Sequence, residues 1–358
     1  MVLDPILHAA AVLLAAWSAA HGTAAPVVPP ANRQAAVPDF ALSDARQSAA
    51  ALATYGGVVA WWGTAGDPRD VRLTVWEPGG RPRRLPVRAN ADPYRRVLDV
   101  GRGPDGAVWI TYARCAGRDA GHRCRPRGYD LRTGADRDLN VGAGVAASLW
   151  GNRVAVLRQS GADTPSTLWA GTLGTGVARP VPLTPGRDGV PPAGPPVALD
   201  LRDDRVALLA WEPGDDSRGE YLLAGRLSDP ASILPVPDGG GVAGEECTRL
   251  VASPTFTATA LTWLVSTLGP SSSCRGHRRR LHRRDAHGTT VATIPRAAPK
   301  QAVVAAGRVV GLFVARPDGD QGDRDACEPD ALLHDHAWPA CQLRVTPAPR
   351  WRPASPSG

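Results

Sequence analysis

Residues 153–158 read RVAVLR, and residues 205–210 read RVALLA. The two hexapeptides share Arg, Val, Ala and Leu in register, 52 residues apart. Working outward, the same kind of run recurs as VVAWWG from Val58, AVWITY from Ala107, ALTWLV from Ala260 and RVVGLF from Arg308. Successive starts are separated by 49, 46, 52, 55 and 48 residues. The second positions are Val59, Val108, Val154, Val206, Leu261 and Val309, all aliphatic. Runs this short and this apolar, bounded by Gly, Asp or Asn, read as strands buried on both faces.

Each run has the same surroundings. A polar loop of variable length leads to a second strand ending in a turn: LTVWEPGG from Leu73, GYDLRTG from Gly128, LWAGTLGTG from Leu168, YLLAGRLSD from Tyr221 and LHRRDAHG from Leu281. A third strand follows, among them RRLPV from Arg83 and SILPV from Ser232, and a further strand such as RVLDV from Arg96 or PVALDL from Pro196 precedes the next run. Four strands per repeat at this spacing predict a six-bladed β-propeller within residues 37–348. The last repeat runs out after CQLRV at Cys341 into a Pro-rich tail, 349–358, while VPDFAL from Val37 has no repeat of its own. That N-terminal strand is expected to pair with the last blade and close the ring, since an open ring leaves unpaired edges. Gly 39 and Pro 35 in 358 residues agree with many short strands and turns. Tandem β-sandwiches also accommodate the Gly and Pro, but leave six similar repeats unexplained.

Blade two, GRGPDGAVWITY followed by GYDLRTGADRDL, resembles the TolB-type propeller repeat at Pro104, Asp105, Gly106, Tyr129, Leu131, Gly134 and Leu139. The other blades keep only the apolar strand and the Gly turn. The resemblance implies a fold. Repeats of this type serve in envelope binding proteins and peptidase accessory domains alike, so it implies no activity.

Residues 9–20, AAAVLLAAWSAA, have the length of a signal-peptide core and are too short for a comfortable bilayer span. Ser18 and Ala20 suit the positions before a cleavage site, so residues 1–20 are expected to be a signal peptide and 21–36 a Pro/Ala-rich linker. Asp4 and the lack of Lys or Arg before the apolar core depart from the pattern; an uncleaved segment is the one membrane attachment foreseen. The six cysteines, Cys115, Cys124, Cys247, Cys274, Cys327 and Cys341, contain no CxxC pair. Sequential pairing brackets one blade with each disulfide, which fits a secreted or cell-envelope protein.

The net charge of +7 comes from arginine, with Lys300 the single lysine, and reflects codon usage as much as a binding surface. The segment HRRRLHRRDAH, 277–287, offers Arg278, Arg279, Arg280, Arg283 and Arg284 as an anion site, against a plainer reading as a polar loop and solvent-facing strand. Asp318, Asp320, Asp323 and Asp325 form an oxygen-rich loop of the sort that binds calcium. Gly322 and Pro329 stand where an EF-type loop wants ligands, so a solvated loop is the plainer reading and no cofactor is expected. His334 and His336, one residue apart, would face the same side of a strand and suit a metal, but no third ligand is evident nearby. Trp61, Trp109 and Trp263 read as packing between blades, and Trp338 as a loop residue able to stack on a sugar.

No GxSxG, HExxH, SxxK or P-loop pattern occurs. The chain is therefore expected to be a monomeric binding or scaffold module for a protein or cell-envelope glycan, with no specific nucleic-acid partner. The alternative is a propeller hydrolase or lyase acting on glycan, which needs carboxylates or metal ligands converging at the channel mouth.

Overall fold

Each apolar run becomes the second strand of an antiparallel meander, because only there is it covered on both faces. A computed structural model describes residues 40–41, 49–65, 67–90, 96–116, 124–159, 166–176, 178–183, 198–212, 219–240, 248–268, 279–294, 301–314 and 341–354. The residues expected to form the signal peptide and linker lie outside them. Among the described residues every regular element is a strand, and no helix is long and apolar enough to cross a membrane.

After the short strand β1 (Phe40–Ala41), the first meander is β2 (Ala49–Tyr55), β3 (Val58–Ala65), β4 (Asp67–Trp76) and β5 (Arg83–Arg88). The second is β6 (Leu98–Arg102), β7 (Val108–Cys115), β8 (Cys124–Asp130) and β9 (Asp136–Asp138). The third is β10 (Ala146–Trp150), β11 (Arg153–Arg158), β12 (Thr167–Thr172) and β13 (Ala178–Val181). A fourth comprises β14 (Ala198–Arg202), β15 (Arg205–Glu212), β16 (Gly219–Arg226) and β17 (Asp229–Gly240). The fifth is β18 (Thr248–Phe256), β19 (Leu261–Leu268), β20 (Arg279–Asp285) and β21 (Gly288–Thr293). Last come β22 (Gln301–Ala305), β23 (Arg308–Val314) and β24 (Cys341–Thr346).

Four of the five sheets hold a four-stranded blade, and the arrangement is propeller-like. The fifth sheet joins the second and third meanders edge to edge through one parallel bridge, Arg102 to Trp150. Two pairings come from the chain ends. β1 lies along β24, with Phe40 opposite Val345 and Ala41 opposite Arg344. In the tail, β25 (Arg352–Pro353) adds to β21, with Arg352 opposite Val291.

The core is divided among successive meanders. Trp62 packs with Leu98, Ile110 and Tyr112 of the second meander, its ring edge-on to Tyr112 at 5.8 Å. Trp109 meets Ala147, Leu149 and Val154 of the third, and Ala155 and Leu157 meet Leu199, Leu201 and Val206 of the fourth. Leu209 and Leu222 pack on Trp263 and Val265 of the fifth, whose Leu264 and Leu281 pack on Ala302 and Val309. Trp61 faces Val303, Val310 and Leu343. The expectation that Trp61, Trp109 and Trp263 pack between blades holds, with exposures of 2%, 4% and 0%. Each aliphatic side chain so covered contributes about 1.5–3 kcal/mol.

Blade two shows why its turn motif has the residues it has. The Asp130 carboxylate accepts from the Arg132 N–H at 2.9 Å and the Thr133 hydroxyl at 2.7 Å, closing an Asx turn that Gly134 leaves at φ 73°. Asp105, from the Pro-Asp-Gly loop, pairs with Arg132 and ties that loop to the turn. Between the second and third meanders the backbones approach too closely for a side chain: a Cβ on Gly101 would overlap the Leu149 carbonyl oxygen. Gly101→Ala is expected to cost about 1–3 kcal/mol, read as a lower midpoint in thermal unfolding. An unchanged midpoint would show that the two inner strands part without cost.

Candidate functional site

The inner strands of the meanders end in short turns, and those of the first, fifth and last meanders border one cleft. Tyr55 ends β2, and Gly56-Gly57 turn at φ 62° and 87°, a two-residue hairpin with both angles positive. Ala306-Gly307 does the same after β22, at 49° and 75°. With Phe256, Thr257 and Ala258 at the end of β18, these turns form the floor of a cleft of about 450 Å³. Arg202 from β14, Arg283 from β20 and Trp351, just before β25, complete it. Among the described residues, no carboxylate lines it. A second cleft of about 690 Å³ lies between the fourth and fifth meanders, lined in part by Arg205, Arg226, Arg284, Asp285 and the exposed Leu234.

Arg202 is held on several sides. Its guanidinium lies 5.4 Å from the Tyr55 ring and 5.1 Å from the Trp150 ring, and these two rings meet edge to face at 5.0 Å. One N–H donates to the Phe256 carbonyl at 3.2 Å. A cation stacked between aromatic faces is fixed in direction without being neutralised. Arg283 lies 5.9 Å from the Trp351 ring and pairs with Asp285 at 3.3 Å.

Behind this cluster stand two buried acids. Asp99 on β6 and Asp200 on β14 are 3% and 6% exposed, and neither lines the cleft. Asp99 accepts from the Ser148 hydroxyl, and Asp200 from the Phe256 N–H. Desolvation pushes the Asp99 carboxyl up to about 7. Burial first, and then repulsion from Asp99, holds Asp200 well above the usual carboxylate range, although Arg202 and Arg205 pull the other way. The Phe256 backbone thus joins Asp200, through its N–H, to Arg202, through its carbonyl.

Of the residues singled out from sequence, Cys115 and Cys124 form a disulfide across paired positions of β7 and β8. Closing a loop of nine residues' separation is worth about 2–3 kcal/mol. Cys247, Cys274 and Cys327 lie outside the described residues, as does the side chain of Cys341. Arg278, the side chain of Arg279, Asp318, Asp320, Asp323, Asp325, His334, His336 and Trp338 also lie outside them. The arginines that are described separate along β20: Arg280 and Arg284 are exposed, while Arg283 is half-buried in the cleft wall. The strand is not wholly solvent-facing, because Leu281 is buried and His282 stacks on Trp263 at 5.3 Å. Reading for motifs passed over Tyr55, Trp150, Arg202, Trp351, Asp99 and Asp200. The signal for the acids was an Asp within an apolar inner strand in two repeats, RVLDV and VALDL.

No protein family and no curated protein matches the sequence. Among solved structures the chain is similar to TolB from Acinetobacter baumannii, at 10% identity and a TM-score of 0.44, over 73% of this chain and 55% of that one. The β-propeller domain of the trilobed protease from Pyrococcus furiosus gives 12% identity and 0.38 over 77% and 79% of the two chains. A polysaccharide lyase, an ulvanlyase, gives 12% and 0.43 over 79% and 82%. The chain thus spans about half the length of the TolB structure.

The buried acids set a pH dependence. Both folded-state pKa values lie above the unfolded value of about 3.9, so through Asp99 the folded chain holds more protons than the unfolded chain between about pH 4 and 7. The stability Asp99 contributes is complete below that window and is lost as pH rises through about 7, and Asp200 acts in the same direction. Thermal unfolding is expected at a higher temperature near pH 5.5 than near pH 8, with the difference reduced in Asp99→Asn. Equal pH dependence in the variant would remove Asp99 as its source.

Proposed function

We propose that the chain is an exported binding or scaffold module, a closed six-bladed propeller that engages a protein or cell-envelope polymer through the cleft at its inner turns. The apolar clusters support six blades: each meander packs on the next, and Trp61 of the first packs on Val303 and Leu343 of the last. The eight-stranded sheet counts as two blades joined at their inner strands. Pairing of β1 with β24 supports ring closure by the N-terminal strand. The disulfide between Cys115 and Cys124 supports an oxidising compartment, and with it a secreted or envelope location.

One observation carries binding over catalysis. The cleft presents guanidinium groups, aromatic rings and small residues, with no carboxylate among its described lining residues. Asp99 and Asp200, the acids that do approach one another, sit away from that lining. A glycan hydrolase or lyase needs its acids at the mouth.

Immobilised full-length protein is expected to retain a soluble envelope polymer saturably and to release it uncleaved, as followed by chain length of the eluate. Shortened product would overturn the reading in favour of an enzyme. Ring closure is tested separately by deleting residues 38–42, expected to lower the unfolding midpoint by at least about 3 °C. An unchanged midpoint would remove β1 as the closing strand.

A further inference from the structure

We infer that the ligand of the turn cleft is an acidic saccharide, with its anionic group on the Arg202 and Arg283 guanidinium groups and a sugar ring against Trp351 or Tyr55. The inference rests on the binding reading and names its chemistry.

Three features of the cleft lead to it. Two guanidinium groups from different meanders border one space of about 450 Å³, and no carboxylate is among its described lining residues. The partner surface is therefore anionic, since a guanidinium fork is best matched by carboxylate, sulfate or phosphate oxygens. Arg202 uses one donor on the Phe256 carbonyl and is stacked on Tyr55 and Trp150, so it meets a ligand already oriented. Arg283 is partly offset by Asp285 at 3.3 Å, which leaves it able to exchange a weak surface pair for a ligand group.

The second feature is the aromatic content. Tyr55, Phe256 and Trp351 all line the same cleft. A flat aromatic face beside a charged fork suits a ring with an apolar C–H face and an acidic substituent, which is the chemistry of an acidic sugar. A simple inorganic anion would leave these faces unused, and an extended acidic peptide would have no ring to place on them.

The third feature is how Trp351 is delivered. The chain leaves β24, passes Ala348 and Pro349 along the cleft, and is fastened by Arg352 and Pro353 pairing with Val291 and Thr290. The Ala354 N–H also donates to the Thr289 carbonyl at 3.1 Å. The described start of the segment that reads in sequence as a Pro-rich tail thus borders the cleft through Pro349 and Trp351 and is anchored on the same meander that carries Arg283.

Full-length protein would be titrated with oligogalacturonate, dextran sulfate, neutral dextran and polyglutamate. Retention of oligogalacturonate or dextran sulfate over both dextran and polyglutamate is expected, and the preference between these two tells carboxylate from sulfate. Arg283→Gln and Trp351→Ala are each expected to weaken it at least about tenfold, a loss of about 1.4 kcal/mol. Arg284→Gln, on the neighbouring residue but facing the other cleft, is expected to change it less than about twofold. Unfolding midpoints equal to the parent's show that the losses are local. Dextran or polyglutamate retained as well as the acidic sugars, or neither acidic sugar retained, overturns the acidic-saccharide assignment and leaves the binding reading intact. So does an Arg284→Gln loss equal to that of Arg283→Gln. Cleaved saccharide in any arm overturns the binding reading instead.

Discussion

Every second strand in this chain is apolar on both faces and has to be covered twice. The pair Trp61-Trp62 shows what that demands. Alternation along β3 sends the two indoles to opposite sides, one among Val303, Leu312 and Leu343, the other among Leu98, Ile110 and Tyr112. A single meander covers neither. The two faces are satisfied only with a further meander on each side, and the same holds for Trp263-Leu264, which pack toward the fourth meander and toward Ala302 and Val309. The close approach at Gly101 serves this requirement, while the recruitment of Phe40–Ala41 to β24 pairs a sheet edge.

The inner strands answer to a different limit. They end in Tyr55, Arg102, Trp150, Arg202, Phe256 and Ala305, residues drawn together only because the turns converge. Space there is filled by stacking a cation on rings, and polar backbone groups left over are taken by Asp200 and Arg202 at the two sides of Phe256. Burial raises both acids in this region above the usual carboxylate range, and Ser148 donates to Asp99. Packing at the centre and the shape of the cleft are therefore coupled through one residue, Phe256.

Arginine does several jobs, and total charge does not distinguish them. Arg72 with Asp70 at 2.8 Å, Arg127 with Asp136 at 2.9 Å and Arg153 with Asp204 at 2.8 Å are pairs on or near the surface, of the kind that solvent screens. Arg158 lies over Trp169 at 3.8 Å and donates to the Val141 carbonyl. Arg202 and Arg283 stand apart because they border a shared space beside aromatic rings. Position at the cleft, not charge density, marks the site, and of the described arginines between 278 and 284 only Arg283 lines it.

Local residue pattern alone determined the repeat, the strand content and the order of strands within each meander. RVAVLR and RVALLA can be covered only as strands buried on both faces, and Gly56-Gly57 and Asp130 through Gly134 close turns by backbone chemistry that needs no distant partner. Pairing of β1 with the last sheet was legible too, because an incomplete repeat and an orphan strand are both visible in the chain. The cleft was not legible. Tyr55, Arg202, Arg283 and Trp351 are separated by up to 296 residues in sequence and share no spacing that a motif would reveal. Their meeting depends on inner turns converging at a common centre and on a two-residue strand folding the tail back onto β21. Contacts of that kind are set by where whole blades stand, and no single blade's sequence carries that information.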